Sequence, residues 1–182
     1  MQLGKTLYVT DRRAWRAWLK KNHATENEIW LIYYKKHSGQ RRIPYNDAVE
    51  EALCYGWIDS TLKRLDADRT AQRFSPRRPK SFLSETNKER ARRLIAAQKM
   101  TPFGLVKIRV QLGTRFIPAP DIIAALKEDP AAWKNFNSFS KSYQRIRIGW
   151  IDAARHRPEI FGQRLRYFLK MTAQNKRFGM VQ

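Results

Sequence analysis

Asp59 directly follows the apolar pair Trp57-Ile58, at a position where a strand ends facing the core. Burying an unpaired carboxylate is costly, so this one requires a partner. The natural donors are Arg77 and Arg78, held rigidly between Pro76 and Pro79. Such a set reads either as a structural ion pair or as a polar pocket whose carboxylate orients an arginine toward a bound anion. Arg73, Arg77, Arg78 and Lys80, with Lys63 and Arg64 upstream, form the densest local positive cluster. Guanidinium forks match phosphate or carboxylate in a bidentate way. Asn87 lies within Thr86-Asn87-Lys88-Glu89, which has capping-box spacing, and the free N–H groups of a helix start also favour anions.

Patterns for catalysis are sparse. His23, His37 and His156 are scattered without metal spacing, and the single Cys54 cannot build a zinc site. No glycine-rich phosphate loop, nucleophile elbow or paired-carboxylate motif occurs. Cys54 lies on an apolar helix face with nothing basic one turn away to lower its pKa, so it reads as core. The expectation is therefore no catalytic residue, no metal and no cofactor.

The charge supports an anionic partner. The 182 residues carry 37 basic and 16 acidic side chains, a net +21. Residues 60–100 hold 12 basic and 4 acidic groups, +8, and residues 131–182 hold 11 and 2, +9. Residues 1–59 carry only +3 and residues 101–130 only +1. Charge on this scale opposes compaction and attracts nucleic acid, an anionic envelope component or an acidic protein, unless it serves only solubility. Lys88, Arg92, Arg93, Arg145, Arg147, Arg155, Arg164, Arg166 and Lys170 decorate helices whose other faces are apolar. They read as a solvated face or as a footprint for such a partner. No apolar run is long enough to span a membrane, and no apolar stretch follows Met1-Gln2-Leu3-Gly4-Lys5, so a cytoplasmic location is expected.

The elements that must position these groups form an α+β chain. Leu7-Tyr8-Val9 is a short strand candidate, and Thr10-Asp11 caps a helix with Ala14, Trp15, Trp18 and Leu19 on one face. Ile29 to Tyr34 is an uninterrupted β-branched and aromatic run, a central strand. A helix from Asn46 or Asp47 runs to Cys54, Gly56 breaks it, and Trp57-Ile58 returns to strand. A strand near 70–75 leads into Pro76-Arg77-Arg78-Pro79, which is neither helix nor central strand. The capping box opens a helix that buries Ala91, Leu94 and Ile95. Residues 105–112 alternate like a strand, but Thr101-Pro102 and Gly113 bound a helix better. Pro118-Ala119-Pro120 is a linker, and the chain beyond it is helical in pattern. A small mixed α/β body over about residues 1–113 is thus joined to a packed C-terminal helical unit, with the domain boundary between 117 and 118.

Trp15-x-x-Trp18-Leu19, Ile29-Trp30-Leu31 with Lys35-Lys36, Ala52-Leu53-Cys54-Tyr55-Gly56-Trp57-Ile58-Asp59 and Pro76-Arg77-Arg78-Pro79 resemble the YdeI/OmpD-associated, or bacteriocin-protection, family. Ser142, Trp150-Ile151 and Ala153-Ala154-Arg155 resemble its helical tail. The chain departs from that pattern at Leu83-Ser84-Glu85 and at Ile160-Phe161. The resemblance implies a link to stress or antimicrobial-peptide resistance. The expected function is a non-enzymatic binding protein for an anionic partner, with Lys35, Lys36, Trp57, Asp59, Arg73, Arg77, Arg78 and Asn87 as binding candidates. The alternative is a small-molecule-binding protein or enzyme with a pocket around Trp57, Asp59, Arg77 and Asn87.

Overall fold

The structure, a computed structural model, describes residues 3–79 and 81–179. Lys80 of the expected basic cluster lies outside the described residues. The chain is of the α+β class and divides into two compact units, Met1–Phe82 with Arg90–Gly113 and Leu83–Glu89 with Thr114–Gln182.

The first unit is built on a four-stranded sheet of order β1-β2-β4-β3. β1 (Thr6–Leu7) runs parallel to β2 (Ile29–Tyr34), whereas β4 (Arg69–Pro76) is antiparallel to both β2 and β3 (Trp57–Arg64). The apolar run at 29–34 is an inner strand, as its lack of alternation requires, because both its faces are covered. On one face Trp30, Ile32 and Ala71 form a small cluster. On the other, Phe74 meets Trp15 of α1 (Arg12–Asn22) at 5.5 Å between rings, and Trp15 stacks on Trp18. Asp11 caps α1 by accepting the Ala14 N–H at 2.9 Å. The apolar stripe of α1 is narrower than expected: Trp15 and Leu19 are buried, but Ala14 is exposed.

α2 (Tyr45–Cys54) begins ahead of the expected Asn46 or Asp47, directly after Pro44, which offers no side-chain cap. An ion network ties α1 to α2. Glu51, only 2% exposed, accepts Arg12 Nε at 2.5 Å and Arg16 Nη1 at 2.6 Å, and Arg12 also reaches Glu50 at 2.7 Å. Burial opposes the charge on Arg12, but hydrogen bonds to Glu51 and Glu50 outweigh it and raise its pKa. Gly56, at φ +72°, turns the chain from α2 into β3. Pro76 closes β4, an inner strand, contrary to the expectation that no residue of Pro76–Pro79 joins one. β2 stops pairing at Phe74, so β2 asks no N–H of residue 76.

α4 (Pro102–Leu112) is the helix that its caps predict, with Thr101 accepting the Gly104 N–H and Gly113 ending it. It packs closely on the end of α2. A Cβ on Gly104 would lie 2.3 Å from the Cys54 carbonyl oxygen, which also accepts the Thr101 hydroxyl at 2.5 Å. α3 (Glu85–Ala96) contributes its first turn to the second unit and the rest to the first. Its cap is Ser84, whose Oγ accepts the Asn87 N–H at 3.3 Å, so the Thr86 capping box does not form. Ala91 and Leu94 are buried, while Ile95 is exposed.

The second unit is helical: α5 (Pro120–Lys127), α6 (Pro130–Ser138), α7 (Lys141–Asp152) and α8 (Pro158–Ala173). Asp129 and Ser140 cap α6 and α7. Ile122, Leu126, Phe136, Ile148, Ile151 and Phe168 form the core. Of the cations expected on solvated helix faces, Lys88 and Arg147 are buried instead, and others are held by carboxylates. Lys88 is buried and bonds Glu85 at 2.7 Å and Thr114 at 3.0 Å. Arg147 is buried among the rings of Phe178 (4.7 Å), Tyr143 (5.4 Å) and Trp150 (5.7 Å). Arg155 binds Asp121 and Asp152, and Arg145 binds Glu89. Besides the neighbours Glu85 and Asp152, three residues away, these side chains find partners far off in sequence or on aromatic faces, which a helical-wheel reading does not register.

Candidate anion site

Asp59 sits on β3 opposite Phe74, where the β3–β4 register slips before Leu62. It is half-buried, and its Oδ2 accepts the Tyr45 hydroxyl at 2.6 Å. The hydrogen-bonding partner is therefore a tyrosine at the start of α2, not Arg77 or Arg78. Arg78 is exposed, with its backbone N–H bonded to Ser81 Oγ at 3.1 Å.

Arg77 is the more consequential residue. Its backbone N–H donates to the Gly56 carbonyl at 2.8 Å, which draws the side chain inward until 3% of the residue is exposed. Nη1 donates to the carbonyls of Ser81 (3.3 Å) and Phe82 (3.4 Å), while Nε and Nη2 are buried with no acceptor among the described residues. Burial lowers its pKa, and the charge of Asp59 works against that shift. Arg90, also buried, donates to Asn46 Oδ1 at 2.7 Å. Its pKa is lowered by burial as well, opposed by Tyr45, Glu50 and Asp59.

Two tyrosines complete the set. Burial raises the pKa of both Tyr33 and Tyr45, and the charge of Asp59 adds to each shift. The Tyr33 hydroxyl is buried without a partner among the described residues, and the exposed Arg42 holds its guanidinium 5.9 Å from the Tyr33 ring. Asp59 is thus the one carboxylate whose field reaches Tyr33, Tyr45, Arg77 and Arg90 alike. Tyr45, which holds Asp59, also lines a cleft of about 360 Å³ together with Tyr33, Arg42, Leu62, Thr70 and Gln72. The hydroxyl, amide and guanidinium donors of that lining suit the capture of an anion.

The other predicted residues go elsewhere. Arg73 is paired with Glu28 at 2.7 Å, and Lys35 Nζ donates to the Ala67 carbonyl at 2.6 Å. Lys36 opens a short 3-10 turn at the surface. Trp57 is buried and donates its indole N–H to the His23 carbonyl at 3.1 Å. Asn87 belongs to the first turn of α3, in the second unit. Cys54 is buried, and its thiol is pushed up to about 11 by burial. Arg16, from the neighbouring helix, does pull that value down, but desolvation wins. Sequence reasoning passed over Tyr33, Arg42, Tyr45 and Arg90. The local sign was the pair of hydroxyl-bearing residues Tyr33-Tyr34 ending an otherwise apolar central strand.

An α+β body with a half-buried carboxylate and two buried arginines, and a separate helical unit, define a two-part basic protein. Residues 7–107 match the family described as Domain of unknown function (DUF8412), and the chain belongs to it. Residues 116–175 match the family described as Bacteriocin-protection, YdeI or OmpD-Associated, so the helical unit carries the expected resemblance. The Ala52–Asp59 and Pro76–Pro79 motifs fall in the first of these stretches. No curated protein and no solved structure matches the chain. Among the described residues no helix is long and apolar enough to cross a membrane.

Proposed function

We propose that this protein is a binding protein for a small anion, a carboxylate or phosphate group taken up beside Asp59. The observation that carries the reading is Arg77: a guanidinium 3% exposed that keeps two N–H-bearing nitrogens without an acceptor among the described residues. A buried cation with unused donors is unfavourable until a negative group meets it. Asp59, already bonded to Tyr45, only partly fills that need. The net charge of +21 repels cationic peptides, so any protection against bacteriocins works through an anionic partner and not through sequestering the peptide.

The test is a titration with inorganic phosphate, read by calorimetry and thermal unfolding. Phosphate should saturate one site and raise the unfolding midpoint, since a ligand of the native state stabilises it. Arg77→Met should abolish saturation, and Asp59→Asn, which removes the competing carboxylate, should tighten binding. Unsaturable binding in wild type, or an Asp59→Asn variant that binds no better, sinks the reading.

One further observation favours a polyanion as a second reading. All nine acidic side chains of the first unit have partners, among them Glu26 with Lys5, Glu28 with Arg73, Asp66 with Arg69 and Asp68 with His37. Exposed cations such as Arg13, Lys20 and Arg78 are left to act outward. Duplex DNA would then bind with a slope of roughly −4 to −5 in log affinity against log salt, at about −0.9 per phosphate. Phosphate at a shaped site has no such steep dependence.

A further inference from the structure

A second cleft, sharing no lining residue with the one at Tyr33, opens in the first unit between the end of α1 and α4. It measures about 460 Å³, within the range of small-molecule sites. Its lining includes His23, Trp57, Phe103, Val106 and Lys107. His23 Nδ1 lies 2.9 Å from the Leu19 carbonyl, an acceptor only, so Nδ1 carries the proton. In the neutral imidazole Nε2 then offers a lone pair, and it is buried without a partner among the described residues. The Phe103 ring lies against the imidazole, 4.5 Å between centroids, yet Phe103 is 59% exposed. Val106, one turn on, is exposed as well, so the apolar face of α4 is uncovered here. At the lining, Glu26 is neutralised by Lys5, whereas Lys107 has no carboxylate partner among the described residues.

The geometry points to a binding site for a small aromatic acid that carries a ring N–H or O–H. Its ring takes the place of the Phe103 ring beside His23. Its N–H or O–H donates to Nε2, and its carboxylate meets Lys107. Each part of the ligand answers one unfilled feature: an apolar slot, an orphan acceptor and an uncompensated cation. This site does not depend on the anion site at Asp59.

Three probes applied to the intact chain separate the parts: indole-3-acetate, its N-methyl analogue and the uncharged indole-3-ethanol. Indole-3-acetate should saturate a single site by calorimetry and shift the His23 ring signals in NMR spectra. The N-methyl analogue, which cannot donate to Nε2, should bind about tenfold more weakly. Indole-3-ethanol should bind roughly two- to fivefold more weakly, the smaller loss expected for an exposed ion pair. In Lys107→Gln the acid and the alcohol should bind alike. Saturation that leaves the His23 signals unmoved, equal affinity for the acid and its N-methyl analogue, or no saturation at all would overturn the assignment.

Discussion

The Tyr45 hydroxyl donates to Asp59 Oδ2 at 2.6 Å, tying the first residue of α2 to the start of β3. That bond leaves the carboxylate near Arg77 and Arg90 but engaged elsewhere. In Asp59→Asn Arg77 loses the carboxylate that acts on it and Arg90 keeps only Glu50, so the native state should weaken by about 1–2 kcal/mol, discounted for the half-exposure of Asp59. Phosphate should recover much of the loss, measured as urea midpoints with and without it. A variant as stable as wild type in the absence of phosphate would show that Asp59 does not balance these arginines.

Glu51 is the counter-charge of Arg12 and Arg16 in the α1–α2 network. Glu51→Gln leaves Arg16 without its carboxylate and Arg12 with only Glu50 and Asp47, and should cost roughly 3 kcal/mol. Chemical denaturation of the two proteins checks this, with a loss below about 1 kcal/mol contradicting it.

Cys54 gives a pH dependence. Its folded thiol titrates at about 11, against about 8.5 for an unfolded thiol, so the unfolded chain releases its proton first. The stabilisation is complete below the unfolded value and is lost as pH rises through that window toward the folded value. Stability should fall there by up to about 1.4 kcal/mol per pH unit from this group, and Cys54→Ala should flatten the slope by that amount. Thiol reagents should react with the native protein only at the rate of its unfolding.

Gly104 admits no side chain. Gly104→Ala would place a carbon 2.3 Å from the Cys54 carbonyl oxygen, forcing α4 away from α2 at a cost of roughly 3 kcal/mol. Thermal unfolding of the variant measures this, and an unchanged midpoint would mean that the helices separate freely.

Arg147 is held by aromatic faces, and its Nε is buried with no acceptor among the described residues. Arg147→Met keeps the packing and removes the desolvated charge, so it should be neutral or stabilising by up to about 1 kcal/mol. Arg147→Ala should cost about 3 kcal/mol through the space left behind. Equal losses in the two variants would show that charge, not packing, is what Arg147 supplies.

What the sequence by itself determined is local. Uninterrupted apolar character placed β2 inside the sheet. Caps at Asp11, Thr101, Asp129 and Ser140 are set by side chains that reach only two or three residues on. Gly56 marked a reversal because its backbone conformation is one that other residues avoid. Charge surplus is a sum over the chain and needs no fold. Tertiary structure alone decided which charges are spent. Tyr45 meets Asp59 across 14 positions, Arg90 meets Asn46 across 44, and Arg73 meets Glu28 across 45. Pairing over such separations depends on the β2–β4–β3 register and on how α2 and α3 come to lie, which no spacing rule encodes. For the same reason Arg77, to all appearance a surface arginine between prolines, is drawn inward by one backbone bond to Gly56 and becomes the centre of the candidate site.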